Sequence, residues 1–126
     1  MRQTIRCFLL FEGASFVVAG LAHFGVLVNG YQHRQAANAE SSIAVVLLVG
    51  FALTWVWPAR TRLIGIAAQA FALLGTLVGV FTIAIGVGPR TVPDIAYHLA
   101  IVVALVWGLV VAARAPADAT RRRLPS

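Results

Sequence analysis

The sequence predicts an all-α protein, a four-helix transmembrane bundle with both termini in the cytoplasm. Of its 126 residues, 60% are apolar and only 11% are charged, and the mean hydropathy is +0.89. Soluble domains average about 45–50% apolar and about 25% charged residues. The composition therefore excludes an ordinary soluble domain and a disordered chain. The apolar residues are also gathered into four runs, which gives the number of expected spans.

The four runs cover residues 7–29, 42–58, 63–87 and 95–113 of one integral membrane domain, residues 1–126. Each run approaches the roughly 20 residues that a helix needs to cross a hydrocarbon core about 30 Å thick. The second run is short, and its helix is a candidate to begin earlier, near Asn38, in the polar segment 30–41. Pro93 and Asp94 suit the start of the fourth helix, with Asp94 as a cap or first-turn acid.

Arginine sets the expected orientation. One side of the predicted bundle carries eight of the ten arginines, at 2, 6, 60, 62, 114 and 121–123, and the other side carries Arg34 and Arg90. The positive-inside rule then places both termini, and the basic tail 114–126, in the cytoplasm. We expect a multi-pass protein of a bacterial-type inner membrane. No stretch combines basic and aromatic residues on a polar surface, so nucleic acid is not an expected partner despite the net charge of +6.

The polar residues of the four runs fall into two groups by depth. An ionisable side chain inside a membrane costs roughly 2.5–3.5 kcal/mol on insertion scales, so such residues are expected to face the bundle interior and find partners. The inner group, expected to share one network near the cytoplasmic side, is Glu12, Thr54 and Gln69. The outer group, near the opposite side, is His23, Glu40, Asp94, Tyr97 and His98. Glu12 and His23 are eleven residues apart and share one face of the first helix.

Several functions fit these groups, and the sequence does not decide whether the protein is an enzyme. The outer group is typical of a pocket for the polar end of a hydrophobic small molecule, such as a quinone or a lipid, with the inner group as a deeper polar contact. Alternatively, His23 and His98 are candidate axial ligands of a haem or ligands of a metal. Neither group has a diagnostic metal or nucleophile spacing. Cys7 is the only cysteine, which excludes a cysteine-based zinc site.

Gly75 and Gly79 of the third run form a small-xxx-small pair, which is typical of a contact between membrane helices. Such a pair favours close approach between helices within the bundle. The alternative is a seam with a second copy of the chain or with a larger membrane complex. Besides the lipid bilayer and a small molecule, these are the expected partners.

The chain contains Arg6-x-x-Leu9-x-x-Glu12-Gly13, then Phe16, Gly20 and His23, then Glu40 before the second apolar run and a basic turn with Arg60 and Arg62. With these residues, the stretch from about 6 to 113 resembles the DoxX-like superfamily of small four-helix membrane proteins. The resemblance implies a four-helix bundle with a polar pocket near the outer face, and His23 and Glu40 as pocket residues. Some members of that superfamily work beside quinone-linked oxidoreductases, which implies an accessory role in a membrane redox complex.

The position of Glu12 is also similar to that of the acidic residue in the small multidrug resistance family. That family also has four helices and one acid early in the first helix. The resemblance implies an exporter in which Glu12 alternately binds a proton and a cationic substrate. The residues that surround Glu12, the long outer segment and the three histidines depart from that family's pattern.

Overall fold

The structure, a computed structural model, describes residues 1–117, which form four α-helices and one 3-10 turn. Helix α1 spans Arg2–His23, α2 Arg34–Val56, α3 Thr61–Ala84 and α4 Val92–Arg114, and the 3-10 turn is Pro58–Arg60. All four helices are long and apolar enough to cross a membrane. The predicted all-α, four-helix fold is confirmed. Residues 118–126 of the predicted basic tail lie outside the described residues.

The four helices run up and down in a ring. Each helix packs on its neighbours in the chain, and α4 returns to pack on α1. At one end, Arg62 Nη2 at the start of α3 donates to the carbonyl of Ala113 at the end of α4, across 3.1 Å. We call this the arginine end, because it holds Arg6 and Arg62. The opposite end holds the end of α1 and the starts of α2 and α4; with His23 and His33, it is called the histidine end.

Buried positions on each helix recur every three or four residues, which places one stripe of each helix inside. On α4 these positions are Asp94, His98, Ile101, Leu105, Gly108 and Ala112. Large apolar side chains cover the outside, and Leu74, Val103 and Trp107 are each about two-thirds exposed. The interior thus holds polar side chains among apolar ones, whereas the outside is covered mainly by large apolar side chains. This distribution is the one expected of helices surrounded by lipid, where unpaired polar groups are costly.

Helix α1 ends at His23, so the predicted end at residue 29 is wrong. Gly25 has a positive φ of 77°, its N–H donates to the Ala22 carbonyl, and the N–H of Val26 donates to the Leu21 carbonyl. This pair of bonds is the Schellman motif, which turns the chain out of a helix. The same motif at Gly86 ends α3 three residues before the predicted 87. Apolar residues continue beyond both glycines, so hydropathy extends both helices too far.

Helix α2 begins at Arg34, eight residues before the predicted 42. The His33 side chain accepts a hydrogen bond from the N–H of Ala36 and caps the helix. Residues 34–41 contain three alanines with one arginine, one glutamine and one glutamate, all of which favour helix, while the polar residues of the segment keep its hydropathy low. Glu40 therefore lies about two turns inside α2 and is buried, whereas the sequence placed it at the helix entrance.

Helix α4 begins at Val92, three residues before the predicted 95. Thr91 and Asp94 form a capping box, in which each side chain bonds the backbone N–H of the other residue. The prediction that Asp94 is a cap or first-turn acid is confirmed. One oxygen of its carboxyl group is used by the cap, which leaves the other oxygen for a partner on another helix.

Candidate ligand-binding site

His23 connects two buried carboxyl groups from two other helices. Its Nδ1 lies 2.6 Å from Glu40 Oε2 on α2, and its Nε2 lies 3.0 Å from Asp94 Oδ1 on α4. All three side chains are at least nine-tenths buried. We call Glu40, His23 and Asp94 the carboxylate–histidine triad. It joins three helices at the histidine end, and it unites three residues of the predicted outer group.

The triad has a minimum number of hydrogens. A carboxylate only accepts hydrogen bonds, and a neutral imidazole carries one N–H. Two bonds between His23 and carboxyl oxygens therefore need two hydrogens, wherever along each bond the hydrogen sits. With two hydrogens the triad carries one net negative charge. Its second Glu40 oxygen, Oε1, is then a bare acceptor.

Residues near the chain turn support Asp94 in the triad. The Thr91 backbone N–H and hydroxyl both donate to Asp94 Oδ2, at 2.9 and 2.5 Å. Tyr31, in the segment between α1 and α2, has its hydroxyl against Thr91 Oγ1 and its ring stacked on His23, with the ring centroids 5.4 Å apart. Burial and the nearby Asp94 raise the pKa of Tyr31 above its usual value. Tyr31 thus stays a neutral donor and covers one face of the His23 ring.

A cavity of about 140 Å³ lies on the α2 and α3 side of the triad. Glu40 and His98 are on its wall, and the remainder of the wall is mostly apolar, including Phe16 and Ile43. Glu40 Oε1 has no hydrogen-bond partner among the described residues, although it is buried. Val78 and Val87 at the cavity edge are exposed, so the cavity opens on the outside of the bundle.

Two glycines of α3 create the space for this cavity. A Cβ atom added to Gly79 would lie 3.1 Å from His98 Nε2, and one added to Gly75 would lie 2.9 Å from Ile43 Cδ1. Both glycines line the cavity. The small-xxx-small pair thus faces the interior of the bundle and contacts α2 and α4, as the within-bundle interpretation expects.

The other aromatic member of the predicted outer group lies away from this cavity. The Tyr97 hydroxyl is 3.3 Å from Ser15 Oγ, and its ring packs edge-on against Phe16. Tyr97 lines a separate groove between α1 and α4, together with His23 and Tyr31. The triad therefore separates two recesses, with Glu40 and His98 on one side and Tyr97 on the other.

The predicted inner group divides into two contacts. Glu12 and Gln69 are fully buried, and Gln69 Nε2 donates to both carboxyl oxygens of Glu12, at 3.3 and 3.1 Å. Gly108 of α4 lies against this pair, where a Cβ atom would be 2.8 Å from Glu12 Oε1. Thr54 instead accepts a hydrogen bond from Arg6 Nε at 3.1 Å. Glu12, Thr54 and Gln69 are not among the residues that line the cavity.

The haem or metal alternative does not fit this arrangement. Both ring nitrogens of His23 are engaged by carboxyl groups, and Nδ1 of His98 lies 2.8 Å from the Asp94 carbonyl oxygen. His23 has no nitrogen left for an iron or zinc ion. Within residues 1–117, no group of three histidine, cysteine or acidic side chains is arranged to hold a metal ion.

Three contributors to the site are absent from the predicted groups. Thr91 has a signal in the sequence, because Thr-x-x-Asp is a capping-box pattern. Tyr31 and Gly79 have no such signal as parts of a site. Their roles depend on which residue lies opposite them in the folded chain, namely His23 for Tyr31 and His98 for Gly79.

A scan against protein-family models finds no match for this chain, and searches of curated proteins and of solved structures find none either. The resemblance to the DoxX-like superfamily therefore stays a prediction.

We expect that replacing His23 by leucine destabilises the protein strongly. The substitution leaves two buried carboxyl groups without their shared partner, and breaking a buried pair in this way costs about 3–5 kcal/mol. The free energy of unfolding in detergent micelles measures the loss. His33→Asn is the control, since asparagine also caps helices and should cost less than about 1 kcal/mol. A similar small loss in both variants would contradict the role of the triad.

Proposed function

We propose that this protein is a multi-pass membrane protein that binds a hydrophobic small molecule in the cavity beside the triad. The unpaired Glu40 Oε1 is the observation that carries the proposal. A buried oxygen without a hydrogen bond costs free energy, and charged groups cost the most. A polar group on a bound molecule would supply the missing partner, and the apolar wall would hold the rest of the molecule.

The position of the cavity supports a ligand that enters from lipid. Its exposed edge residues, Val78 and Val87, are apolar and belong to the outer surface near the histidine end. A quinone or a lipid has the required form, a polar end on an apolar body. The resemblance to the DoxX-like superfamily adds a more specific proposal, in which the protein is the accessory subunit of a membrane redox complex.

The exporter alternative depends on Glu12 and finds less support. The Glu12 side chain is fully buried, accepts a hydrogen bond from Gln69 and packs against Gly108. It is therefore not exposed at either end of the bundle. An exporter needs a path by which a proton and a substrate reach this carboxyl group. Glu12 and Gln69 instead have the geometry of a contact that holds α1 and α3 together.

Filling the cavity should remove the ligand. We expect the wild-type protein, extracted with its surrounding lipid in polymer-bounded nanodiscs, to retain a small molecule in near-stoichiometric amount. Gly79→Leu should lose it, because the new side chain occupies the space in front of His98 Nε2. Mass spectrometry of the extracted organic fraction measures retention.

The matched control is Ala84→Leu, which adds a similar volume at an exposed position of the same helix. It should retain the molecule as the wild type does. Glu40→Leu, which removes the unpaired oxygen without filling the cavity from α3, should also lose it. Identical organic fractions from the wild type and both site variants would contradict the proposed function.

We also propose that the arginine end faces the cytoplasm of a bacterial-type inner membrane. Among residues 1–117, five arginines lie at that end and two, Arg34 and Arg90, at the other. The membrane-surface bias of arginine supports this orientation.

Cysteine labelling tests the orientation directly, because Cys7 is the only native cysteine. In a Cys7→Ser background, Asn29→Cys reports on the histidine end and Ala59→Cys on the arginine end. A membrane-impermeant maleimide should label Asn29→Cys in intact spheroplasts and Ala59→Cys only after permeabilisation. The reverse pattern, or equal labelling of both positions, would contradict the orientation.

A further inference from the structure

The threonine hydroxyl groups on the cavity wall can accept a hydrogen bond from a ligand but have no free hydrogen to donate. Thr76 Oγ1 donates its hydrogen to the Ala72 carbonyl at 2.7 Å. Nearer the edge, Thr82 Oγ1 donates to the Gly79 carbonyl, also at 2.7 Å. Both hydroxyl hydrogens are thus used within α3. Any further hydrogen bond to these hydroxyl groups must come from a donor in the cavity.

His98 also presents an acceptor to the cavity. Its Nδ1 lies 2.8 Å from the Asp94 carbonyl oxygen, and a carbonyl only accepts, so Nδ1 carries the ring hydrogen. In the neutral ring, Nε2 then has a free lone pair. The 3.1 Å between this atom and a Cβ added to Gly79 places Nε2 at the cavity wall. Two residues at the cavity edge differ. Nδ1 of the half-buried His33 accepts from Ala36, so its Nε2 carries the hydrogen, and the exposed Gln35 has an amide that can donate.

Glu40 contributes the strongest acceptor. Its Oε2 bonds His23, and the hydrogen of that bond lies between Oε2 and Nδ1. Oε1 is therefore without a hydrogen in the triad that holds two hydrogens, and it carries part of the triad's net negative charge when the hydrogen of that bond sits on Nδ1. Hydrogen bonds to charged acceptors are stronger than those between neutral groups.

We infer that the bound molecule has a ring-sized head with a hydrogen-bond donor, which donates one hydrogen to Glu40 Oε1 and, where the head carries a second hydrogen, donates that one to His98 Nε2. The polar group is a hydroxyl or an ammonium, and not a carbonyl, an ether or a phosphate. This inference rests on the proposed function and specifies its ligand. The cavity volume of about 140 Å³ sets the size, since a cavity of about 150 Å³ accommodates one benzene ring.

The two oxidation states of a quinone-type ring differ in the hydrogen-bond donors that they offer to these acceptors. A quinone has only carbonyl oxygens, which would face Glu40 Oε1 and His98 Nε2 with lone pair against lone pair. The reduced quinol has two hydroxyl groups, and each of them has a hydrogen to donate. If the natural ligand is of this class, the cavity holds its reduced form.

Benzyl alcohol and benzaldehyde test the inference, because they have nearly the same shape and differ in the donor. Each is titrated into the wild-type protein in lipid nanodiscs. Binding is followed by NMR through the Ile43 and Ile83 methyl groups, which line the cavity and so report site binding separately from partition into lipid. We expect the alcohol to bind about tenfold or more tightly than the aldehyde, the difference that one hydrogen bond to a charged acceptor makes.

Glu40→Gln should reverse this preference. The amide oxygen can take the place of Oε2 beside His23, and the amide N–H then points to the cavity as a donor. The aldehyde should gain affinity and the alcohol should lose it. Glu12→Gln is the matched control, because it makes the same change at the other buried glutamate, which does not line the cavity. It should leave the preference as in the wild type.

Benzylammonium distinguishes the two donor classes. Tighter binding of benzylammonium than of benzyl alcohol assigns an amine head group, and weaker binding assigns a hydroxyl; both results support a donor. Equal affinity for the alcohol and the aldehyde, or a preference for the aldehyde, would overturn the inference while the proposed function stands. No saturable shift with any of the three compounds would overturn both.

Discussion

The histidine end of the bundle depends on the ability of one imidazole ring to bond two carboxyl groups. His23 on α1 contacts Glu40 on α2 and Asp94 on α4, so three helices meet at one side chain. Asp94 serves two purposes, because one oxygen bonds His23 and the other completes the capping box of α4. The start of α4 and the packing of α1 against α2 are thereby linked. In an apolar environment, a buried carboxyl or imidazole group that loses its partner costs several kcal/mol of free energy. The positions of α1, α2 and α4 are therefore coupled through His23.

The cavity is a consequence of this arrangement. Glu40 uses one oxygen in the triad and leaves the other buried without a partner. The same residue lines the cavity that Gly75 and Gly79 keep open. Larger residues at these two glycines would contact Ile43 and His98 and fill the space. The chain thus keeps a costly unpaired acceptor next to a void. A core in which every polar group was hydrogen-bonded and every space was filled would have neither the unpaired oxygen nor the cavity. The two together are best interpreted as a ligand site.

The sequence predicts the number of helices and the inward polar stripes, because burial in lipid forces both patterns. It also places Glu12 and His23 correctly on one buried face of α1, since eleven residues make about three turns. It misplaces the helix ends, because hydropathy measures apolar length, whereas Gly25 and the His33 cap determine where the helices stop and start. The hydrogen bonds from Gln69 to Glu12 and from Arg6 to Thr54 depend on how each helix is rotated about its own axis, which a single sequence does not specify.

The central claim is that His23 bonds both Glu40 and Asp94, and solid-state NMR in lipid bilayers tests it most directly. With labelled imidazole nitrogens and labelled carboxyl carbons, dipolar dephasing measures the distance from each ring nitrogen to each carboxyl group. The account predicts that Nδ1 is at hydrogen-bond range of the Glu40 carboxyl group and Nε2 of the Asp94 carboxyl group, in the same molecules. Strong dephasing from only one carboxyl group, or from neither, would contradict the triad and the acceptor site built on it.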